Sequence, residues 1–454
     1  MKKILLTLGV ILSIFCISSC VPDNKQSDAI NEIVNPNNKN ETTGDKEDTD
    51  KKDETTSDTT EDTTIKHVSA PNPIFTKNDS TITDTGTKTF TAESAIETVK
   101  AMKTGWNLGN TLDATNGAGL NSETGWGQPK TTKAMIDGLK ASGMKTIRIP
   151  VSWSNHIIDS NYTIDPEWMA RVKQIVDWAI EDDLYVILNI HHDNGGSPAQ
   201  LQRGKGFYPN KLNYEESLRF IVNVWSQISL AFNNGYDEHL LFEVLNEPRL
   251  RGTDYEWSYD ANSTECQESA EVLNDYNQVA LDTIRNSGGN NKKRFVLIPG
   301  LRADLGCATL DAFKMPQDLE TGRLILSVHM YSPYDFAMNK TGTKEFTTSL
   351  SSQLAQSFKL LNDKFISKGY GVIIGEYGAT NKNNLEERVK WFQFFIKYSR
   401  KYGITSCLWD NGVWDVSNTT DYGEKFGFYN RTAQTWYFPE ILEAIMTEAN
   451  ASMQ

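Results

Sequence analysis

The sequence of 454 residues contains little cysteine and has no excess of positive charge. Only five cysteines occur in it, and their spacing matches none of the patterns that bind structural zinc. Disulfides are therefore not the main source of stability. A single disulfide between Cys266 and Cys307 is an alternative that the sequence does not decide. The net charge is −14, which argues against a nucleic-acid partner and against adhesion to anionic lipid heads.

Long hydrophobic runs are also missing, except near the N-terminus. Residues 4–17 are apolar and follow two lysines, which is typical of a signal segment and too short to span a bilayer comfortably. The run ends in Ser-Ser-Cys at Cys20, which resembles the lipobox of bacterial lipoproteins; an ordinary signal peptide with a chance cysteine is the alternative. We expect residues 1–20 to be a lipoprotein signal peptide, Cys20 to be lipidated, and the secreted protein to contact a membrane only through this anchor.

The segment that follows lacks aromatic residues altogether. Residues 21–64 contain thirteen acidic residues against five basic ones, so they bury too little apolar surface to offset the entropy of ordering. A Thr-rich piece at 80–83 either continues this linker or adds a strand. We place a disordered acidic linker at 21–85 and one folded domain at 86–454, because no second folded unit is evident.

Short apolar runs alternate with amphipathic ones in this domain. The runs are rich in β-branched residues, as strands buried on both faces should be. Their alternation with helical patterns predicts a (β/α)8 TIM barrel. An open doubly wound sheet is the alternative, but no G-x-G-x-x-G follows the first strand. The predicted strands are 105–108, 146–151, 184–190, 240–245, 294–298, 324–328, 371–374 and 404–408, and the helices between and after them are 132–142, 165–182, 214–232, 268–286, a weak 310–313, 349–368, 385–401 and 439–449.

Polar side chains stand at the predicted carboxyl ends of these strands, where barrel enzymes keep their chemistry. Glu247 ends the fourth strand and Glu376 the seventh. A glycosidase needs two such carboxyls: one donates a proton to the leaving oxygen, and the other attacks the anomeric carbon or activates water. Other candidates at the strand ends or within the strands are Asn107, Arg148, His191, His192, Asn246, His329, Tyr331 and Trp409.

Each candidate also has a purely structural interpretation. Arg148 either orients an acidic side chain of the site or pairs with a structural acid. His192 is equally well explained as a residue that supports the site without touching the substrate. Trp409 is equally well explained as a packing residue of the core. The rim tryptophans are flat platforms for sugars, but packing beneath a loop accounts for them equally well. These are Trp126, Trp153, Trp257 and Trp414.

Six motifs in one order resemble those of glycoside hydrolase family 5. The resemblance covers roughly residues 90–448 and adds to the reading of the individual residues. The motifs are GWNLGN at 105–110, TIRIPV at 146–151, NIHHD at 189–193, LNEP at 245–248, HMY at 329–331 and GEYG at 375–378.

The resemblance implies a retaining double-displacement reaction with Glu247 as acid/base and Glu376 as nucleophile. It places Arg148, His191, Asn246, His329, Tyr331 and Trp409 in the supporting pocket, with Tyr331 bonded to the nucleophile, and implies no metal or cofactor. The finer motifs resemble the branch that cuts β-1,4-glucan, so we expect β-glucan as substrate and a monomeric enzyme. The substrate-binding candidates are Asn107, His192, Trp409, Trp153 and Trp126.

Three alternatives accompany this hypothesis. A β-mannanase belongs to the same family. A surface glycan-binding protein on an inactive barrel predicts that one of the two glutamates is lost, and both are present. A metal-dependent hydrolase that uses His191 and His192 lacks the His-x-His spacing usual for such barrels.

Overall fold

The computed structural model of the protein describes residues 68–417 and 424–452. Eight parallel strands close into a barrel in chain order, with the last strand hydrogen-bonded to the first. The predicted TIM barrel is therefore confirmed. The strands are β1 (Thr104–Asn107), β2 (Thr146–Ile149), β3 (Tyr185–Asn189), β4 (Leu240–Glu243), β5 (Val296–Asp304), β6 (Leu324–His329), β7 (Gly371–Tyr377) and β8 (Thr405–Leu408).

Helices connect the strands on the outside of the barrel. Each of the predicted helices is present except the weak one at 310–313, although some bounds differ. None of the helices in the described residues combines the length and apolarity needed to cross a bilayer. They are α1 (Ala95–Met102), α2 (Lys133–Ala141), α3 (Pro166–Glu181), α4 (Tyr214–Ala231), α5 (Thr264–Asn286), α6 (Leu305–Thr309), α7 (Tyr334–Ala337), α8 (Thr348–Lys364), α9 (Leu385–Lys401) and α10 (Pro439–Asn450), and a small antiparallel ribbon pairs β9 (Tyr429–Asn430) with β10 (Thr435–Trp436).

Two helix positions differ from the prediction because of N-caps. Helix α5 begins four residues earlier than expected, since the Ser263 side chain accepts from the backbone of Cys266. The weak helix predicted at 310–313 lies at α6 instead. There the Asp304 side chain accepts from the backbone of Cys307 and starts a short helix directly at the end of β5.

The predicted linker boundary at residue 85 is too late, because residues 68–85 already pack on the barrel. This piece forms no strand in the described residues, so the extra strand considered for 80–83 is absent. The backbone of Ile74 and Phe75 donates to the Asn223 side chain on α4. The Asp84 carboxylate accepts from the backbone of Asn233 and Gly235 in the loop after α4. These specific contacts offset the entropy lost in ordering this segment.

The barrel interior is divided into an apolar lower part and a polar upper part. The lower part faces α1, whose buried face closes the amino-terminal end of the barrel. A second, larger apolar cluster lies between the strands and the outer helices. Successive side chains of a barrel strand point alternately into the barrel interior and towards the outer helices. Every barrel strand is therefore buried on both faces. The lower interior cluster includes Ile187, Leu241, Leu297, Ile325, Ile373 and Cys407.

The cysteines in the described residues are free and buried, namely Cys266, Cys307 and Cys407. The bridge considered between Cys266 and Cys307 is thus not formed. Cys20, the signal segment and most of the predicted linker lie outside the described residues, and their predictions remain open.

Candidate active site

Arg148 lies at the centre of the polar upper part of the barrel. Its side chain is fully buried, and its three nitrogens contact side chains from three strands and from one turn. Nε donates to Glu243 at 2.8 Å, Nη1 to Asn107 at 3.0 Å and to Glu376 at 2.9 Å, and Nη2 to Asn246 at 2.7 Å. One guanidinium therefore fixes side chains from β1, β4 and β7 and from the turn after β4.

Two buried carboxylates balance the charge of Arg148. Glu243 lies 2.7 Å and Glu376 lies 2.9 Å from the guanidinium. Burial lowers the pKa of Arg148, but the charges of Glu243 and Glu376 outweigh this and raise it above its ordinary value. Both interpretations of Arg148 from the sequence hold together: it pairs with a structural acid and it orients an acid of the site.

Glu243 is a residue that the sequence analysis missed. It accepts hydrogen bonds from Asn189 at 2.8 Å and from Ser327 at 2.6 Å, besides those from Arg148. Its side chain has no exposure to solvent. The signal was present, because β4 holds a single acidic residue in a buried strand, and such a charge requires a partner.

Gly375 makes room for this network directly before Glu376. A side-chain carbon at this position would lie 3.3 Å from both Glu243 Oε1 and His329 Nε2, and 3.4 Å from Arg148 Nε. A larger residue here would therefore displace the polar atoms that hold Glu376.

Glu247 and Glu376 converge on the same side of the barrel mouth. His329 Nδ1 lies 2.7 Å from Glu247 Oε1 and 3.5 Å from Glu376 Oε2. One carboxylate oxygen of each glutamate lies within 4.8 Å of the other. Carboxyls about 5–5.5 Å apart are typical of retaining glycosidases, and inverting ones hold them further apart.

The hydrogen-bond pattern indicates which nitrogen of His329 carries the proton. Arg148 Nη2 faces His329 Nε2 at 3.5 Å, so Nε2 is the acceptor and Nδ1 donates to Glu247. Burial lowers the pKa of His329, but the charges of Glu376 and Glu247 and the bond to Glu247 raise it above its usual range. The same bond and the charges of His329 and Arg249 overcome burial and lower the pKa of Glu247.

The other predicted pocket residues also lie in this cluster. Tyr331 donates its hydroxyl hydrogen to Glu376 Oε2 at 2.9 Å. His191 Nε2 lies 4.0 Å from Glu376 Oε1, and its ring is parallel to that of Trp409 with centroids 5.9 Å apart. Asn246 is buried and held by Arg148. The structure thus brings together both predicted catalytic glutamates and all six supporting side chains.

Two of the predicted substrate-binding residues are wrong. Asn107 has no exposure, and its amide donates to backbone oxygens of β7 and β8. Trp153 is also fully buried, and its indole nitrogen donates to the Asn189 carbonyl. Both are packing residues because the barrel needs their polar groups satisfied internally.

The three other substrate-binding candidates are accessible to solvent. His192, Trp126 and Trp409 are partly exposed. The Trp126 ring lies 5.4 Å from that of His192, so an aromatic wall extends outward from His191. His191 connects these rings to the site, because its Nε2 lies 4.0 Å from Glu376 Oε1.

Two clusters of potential metal ligands occur among the described residues. One consists of Asp113, His191 and His192, and the other of Glu247, His329 and Glu376. In both, the carboxylates already accept hydrogen bonds from protein groups, as Asp113 does from the backbone of Asn110 and Thr111. These contacts account for the side chains without an ion, and we assign neither cluster to a metal.

Comparison with known proteins agrees with this geometry. A family model described as cellulase (glycosyl hydrolase family 5) matches residues 108–414. The chain belongs to glycoside hydrolase family 5. It is therefore a glycoside hydrolase on a TIM barrel, and the resemblance found in the sequence is confirmed.

Similar proteins include several bacterial endoglucanases. The chain is 42% identical to endoglucanase B of Ruminococcus albus over 80% of this chain and 82% of that protein. It is 40% identical to a solved family 5 lichenase from Caldicellulosiruptor sp. F32 in complex with cellotetraose, with a TM-score of 0.73 over 81% of this chain and 98% of that one. A broad-specificity endoglucanase (GH5-4) from Ruminococcus champanellensis with bound cellotriose is 39% identical, with a TM-score of 0.72 over 79% of this chain and 100% of that one.

The buried network predicts that Glu243 is essential for stability. Glu243→Gln should lower the free energy of unfolding by about 3 kcal/mol or more, because it removes one of two charges that balance a buried cation. Ser327→Ala, which removes one hydrogen bond to the same carboxylate, should cost about 1 kcal/mol. Urea unfolding of the two variants measures the difference. Equal costs would contradict the assignment of Glu243 as a counter-charge to Arg148.

Proposed function

We propose that this family 5 enzyme is an endo-acting β-1,4-glucanase that cleaves β-glucans with retention of configuration. In this proposal Glu376 attacks the anomeric carbon, and Glu247 protonates the leaving oxygen and later activates water. The observation that carries it is the approach of a carboxylate oxygen of Glu247 to one of Glu376 within 4.8 Å. A separation this short leaves a sugar carbon, rather than a water molecule, between them.

The contacts of Glu376 suit a nucleophile. Arg148 donates to Oε1 at 2.9 Å and Tyr331 to Oε2 at 2.9 Å. The two donors hold the carboxylate in one orientation and stabilise its negative charge. This charge is needed at the moment of attack, and the fixed orientation lowers the entropy lost in reaching the attacking geometry.

The contacts of Glu247 suit a residue that gives and takes a proton. His329 Nδ1 donates to Glu247 Oε1 at 2.7 Å. In the free site the network keeps Glu247 ionised. A bound sugar excludes water from this carboxylate and thereby raises its proton affinity. The neighbouring negative charge of Glu376 also favours a proton on Glu247 or His329. A proton is therefore available to the leaving oxygen.

A β-glucan substrate is supported by the aromatic wall and by the relatives. His191, His192, Trp126 and Trp409 form an aromatic edge beside the carboxylates, of the kind that stacks on sugar rings. Similar proteins carry the names endoglucanase and lichenase, and two of their structures hold glucan oligosaccharides. These likenesses favour β-1,4-linked and mixed-linkage glucans over β-mannan as substrates.

Replacing each glutamate should separate their roles. Glu376→Ala should lose essentially all cleavage of barley β-glucan, carboxymethylcellulose, xyloglucan and glucomannan in a reducing-sugar assay, because no covalent intermediate can form. Glu247→Ala should lose roughly 10²–10⁴-fold on polymers. With dinitrophenyl β-cellobioside and azide, Glu247→Ala should yield a β-glycosyl azide and Glu376→Ala an α-glycosyl azide.

The exposed Glu386→Ala on α9 is the matched control and should keep full activity, and a chelator should have no effect. If Glu376→Ala cleaved at the normal rate, or if the two azide products were interchanged, the proposed roles would be wrong. The ranking of the four polymers measures the preferred substrate in the same experiment.

We further propose that the enzyme is secreted and tethered by a lipid on Cys20, with the acidic linker as a spacer. The pocket is built from side chains of one chain, and a monomer is sufficient for activity.

In a bacterial host that lipidates proteins, the unaltered chain should partition into the detergent phase of a Triton X-114 extract. Cys20→Ser should partition into the aqueous phase, because it cannot accept the lipid. Cys266→Ser, which alters a buried cysteine of the barrel, is the control. Equal partitioning of the unaltered chain and Cys20→Ser would contradict the anchor.

A further inference from the structure

Arg249 places a second cationic group beside Glu247. Its Nη1 lies 3.5 Å from Glu247 Oε2 and donates to the Glu247 carbonyl at 3.1 Å. His329 occupies the other carboxylate oxygen at 2.7 Å. Each oxygen of Glu247 therefore has its own partner, one from β6 and one from the segment directly after Glu247.

Arg249 is itself held by groups other than Glu247. Its guanidinium lies 4.4 Å from the centre of the Trp257 ring, and its Nε lies 3.3 Å from Glu256 Oε1. Its backbone nitrogen donates to Asn194 Oδ1 at 2.7 Å. The side chain is only 9% exposed. A cation clamped between a ring and a carboxylate keeps its position while the charge on Glu247 changes.

We propose that Arg249, clamped by Trp257 and Glu256, is a positioning residue that orients the Glu247 carboxyl group for proton transfer. This inference rests on the proposed function, in which Glu247 is the acid/base. The alternative is that Arg249 only fastens the loop between β4 and α5 onto the loop after β3 through Asn194.

The charge of Arg249 also has a consequence for pH dependence. Burial raises the pKa of Glu247, and the His329 bond and the charges of His329 and Arg249 lower it. Without Arg249 one of the lowering charges is lost, so the pKa of Glu247 should rise. The basic limb of kcat reports loss of the acid's proton in the enzyme–substrate complex, where the proposed function has Glu247 protonated, and this limb should therefore move to higher pH. The other titratable groups that face Glu247 are His192, His329, Tyr331 and Glu376.

The experiment compares two substrates that differ only in their need for an acid. Cleavage of β-glucan needs a proton on the leaving oxygen, whereas dinitrophenolate leaves without one. Arg249→Met should lose about 10–100-fold in kcat/KM on β-glucan, a part of the roughly 10²–10⁴-fold that a general acid contributes. On dinitrophenyl β-cellobioside it should stay within about threefold of the parent enzyme. Arg249→Lys should restore the basic limb towards its original pH, because it returns the charge.

Two further variants make the result decisive. Arg251→Met alters another arginine of the same loop and should change neither the substrate ratio nor the pH profile. Trp257→Leu removes the ring that clamps Arg249 and should show the same selective loss to a smaller extent; it also serves if Arg249→Met does not fold. Equal losses on both substrates, or an unmoved basic limb, would show that Arg249 only fastens the loop.

Glu247→Ala, measured on the same two substrates, separates this inference from the proposed function. A selective loss on β-glucan for Glu247→Ala but not for Arg249→Met would overturn the inference alone. The absence of a selective loss for Glu247→Ala would overturn the acid/base role, and the inference with it.

Discussion

A single buried cation, the guanidinium of Arg148, links side chains of the barrel strands to Glu376 in the active site. It is neutralised by Glu243 from the middle of the barrel and by Glu376 at the mouth, and both contacts are shorter than 3 Å. A buried ion pair is weak as a source of stability, because desolvation offsets most of the attraction. The role of this ion pair is to fix the positions of the carboxylates, because the buried guanidinium donates its hydrogen bonds in fixed directions and cannot move away.

The polar layer depends in turn on the apolar layer beneath it. Helix α1 closes the lower end of the barrel, and the interior side chains of that end are aliphatic. Water is therefore kept from the underside of Arg148, and its interaction with the two carboxylates is strengthened by the low polarity around it. Gly375 provides the last requirement, because its missing side chain leaves space between Glu243, His329 and Arg148.

Above this layer the two glutamates are distinguished by their partners. Glu376 is bonded to Arg148 and Tyr331, which hold its carboxylate in one orientation. Glu247 is bonded to His329 and lies beside Arg249, so its partners include a ring that can exchange a proton. Two side chains of the same type therefore have different environments, and this difference is what acid/base and nucleophilic roles require.

The barrel and the rim residues were predictable from sequence, because buried strands and strand-end polar residues follow simple periodic rules. Glu247, Glu376 and the six supporting side chains were predicted at one site for this reason, and the structure brings them together. Asn107 and Trp153 were misassigned because periodicity shows which strand a residue ends but not how its polar atoms are satisfied. Arg249 was missed because its short-range contacts depend on how the loop after β4 folds. Glu243 was missed because its partners lie on distant strands. The packing of residues 68–85 was missed for the same reason, since composition does not reveal acceptors such as Asn223.

The separation of the two glutamates is tested most directly by the stereochemistry of the product. Proton NMR of a β-glucan oligosaccharide during the first minutes of cleavage distinguishes the anomers before they interconvert. Our account predicts that the new reducing end appears first as the β-anomer, because carboxylates this close react by double displacement. Initial release of the α-anomer would mean that water attacks directly and would contradict the account.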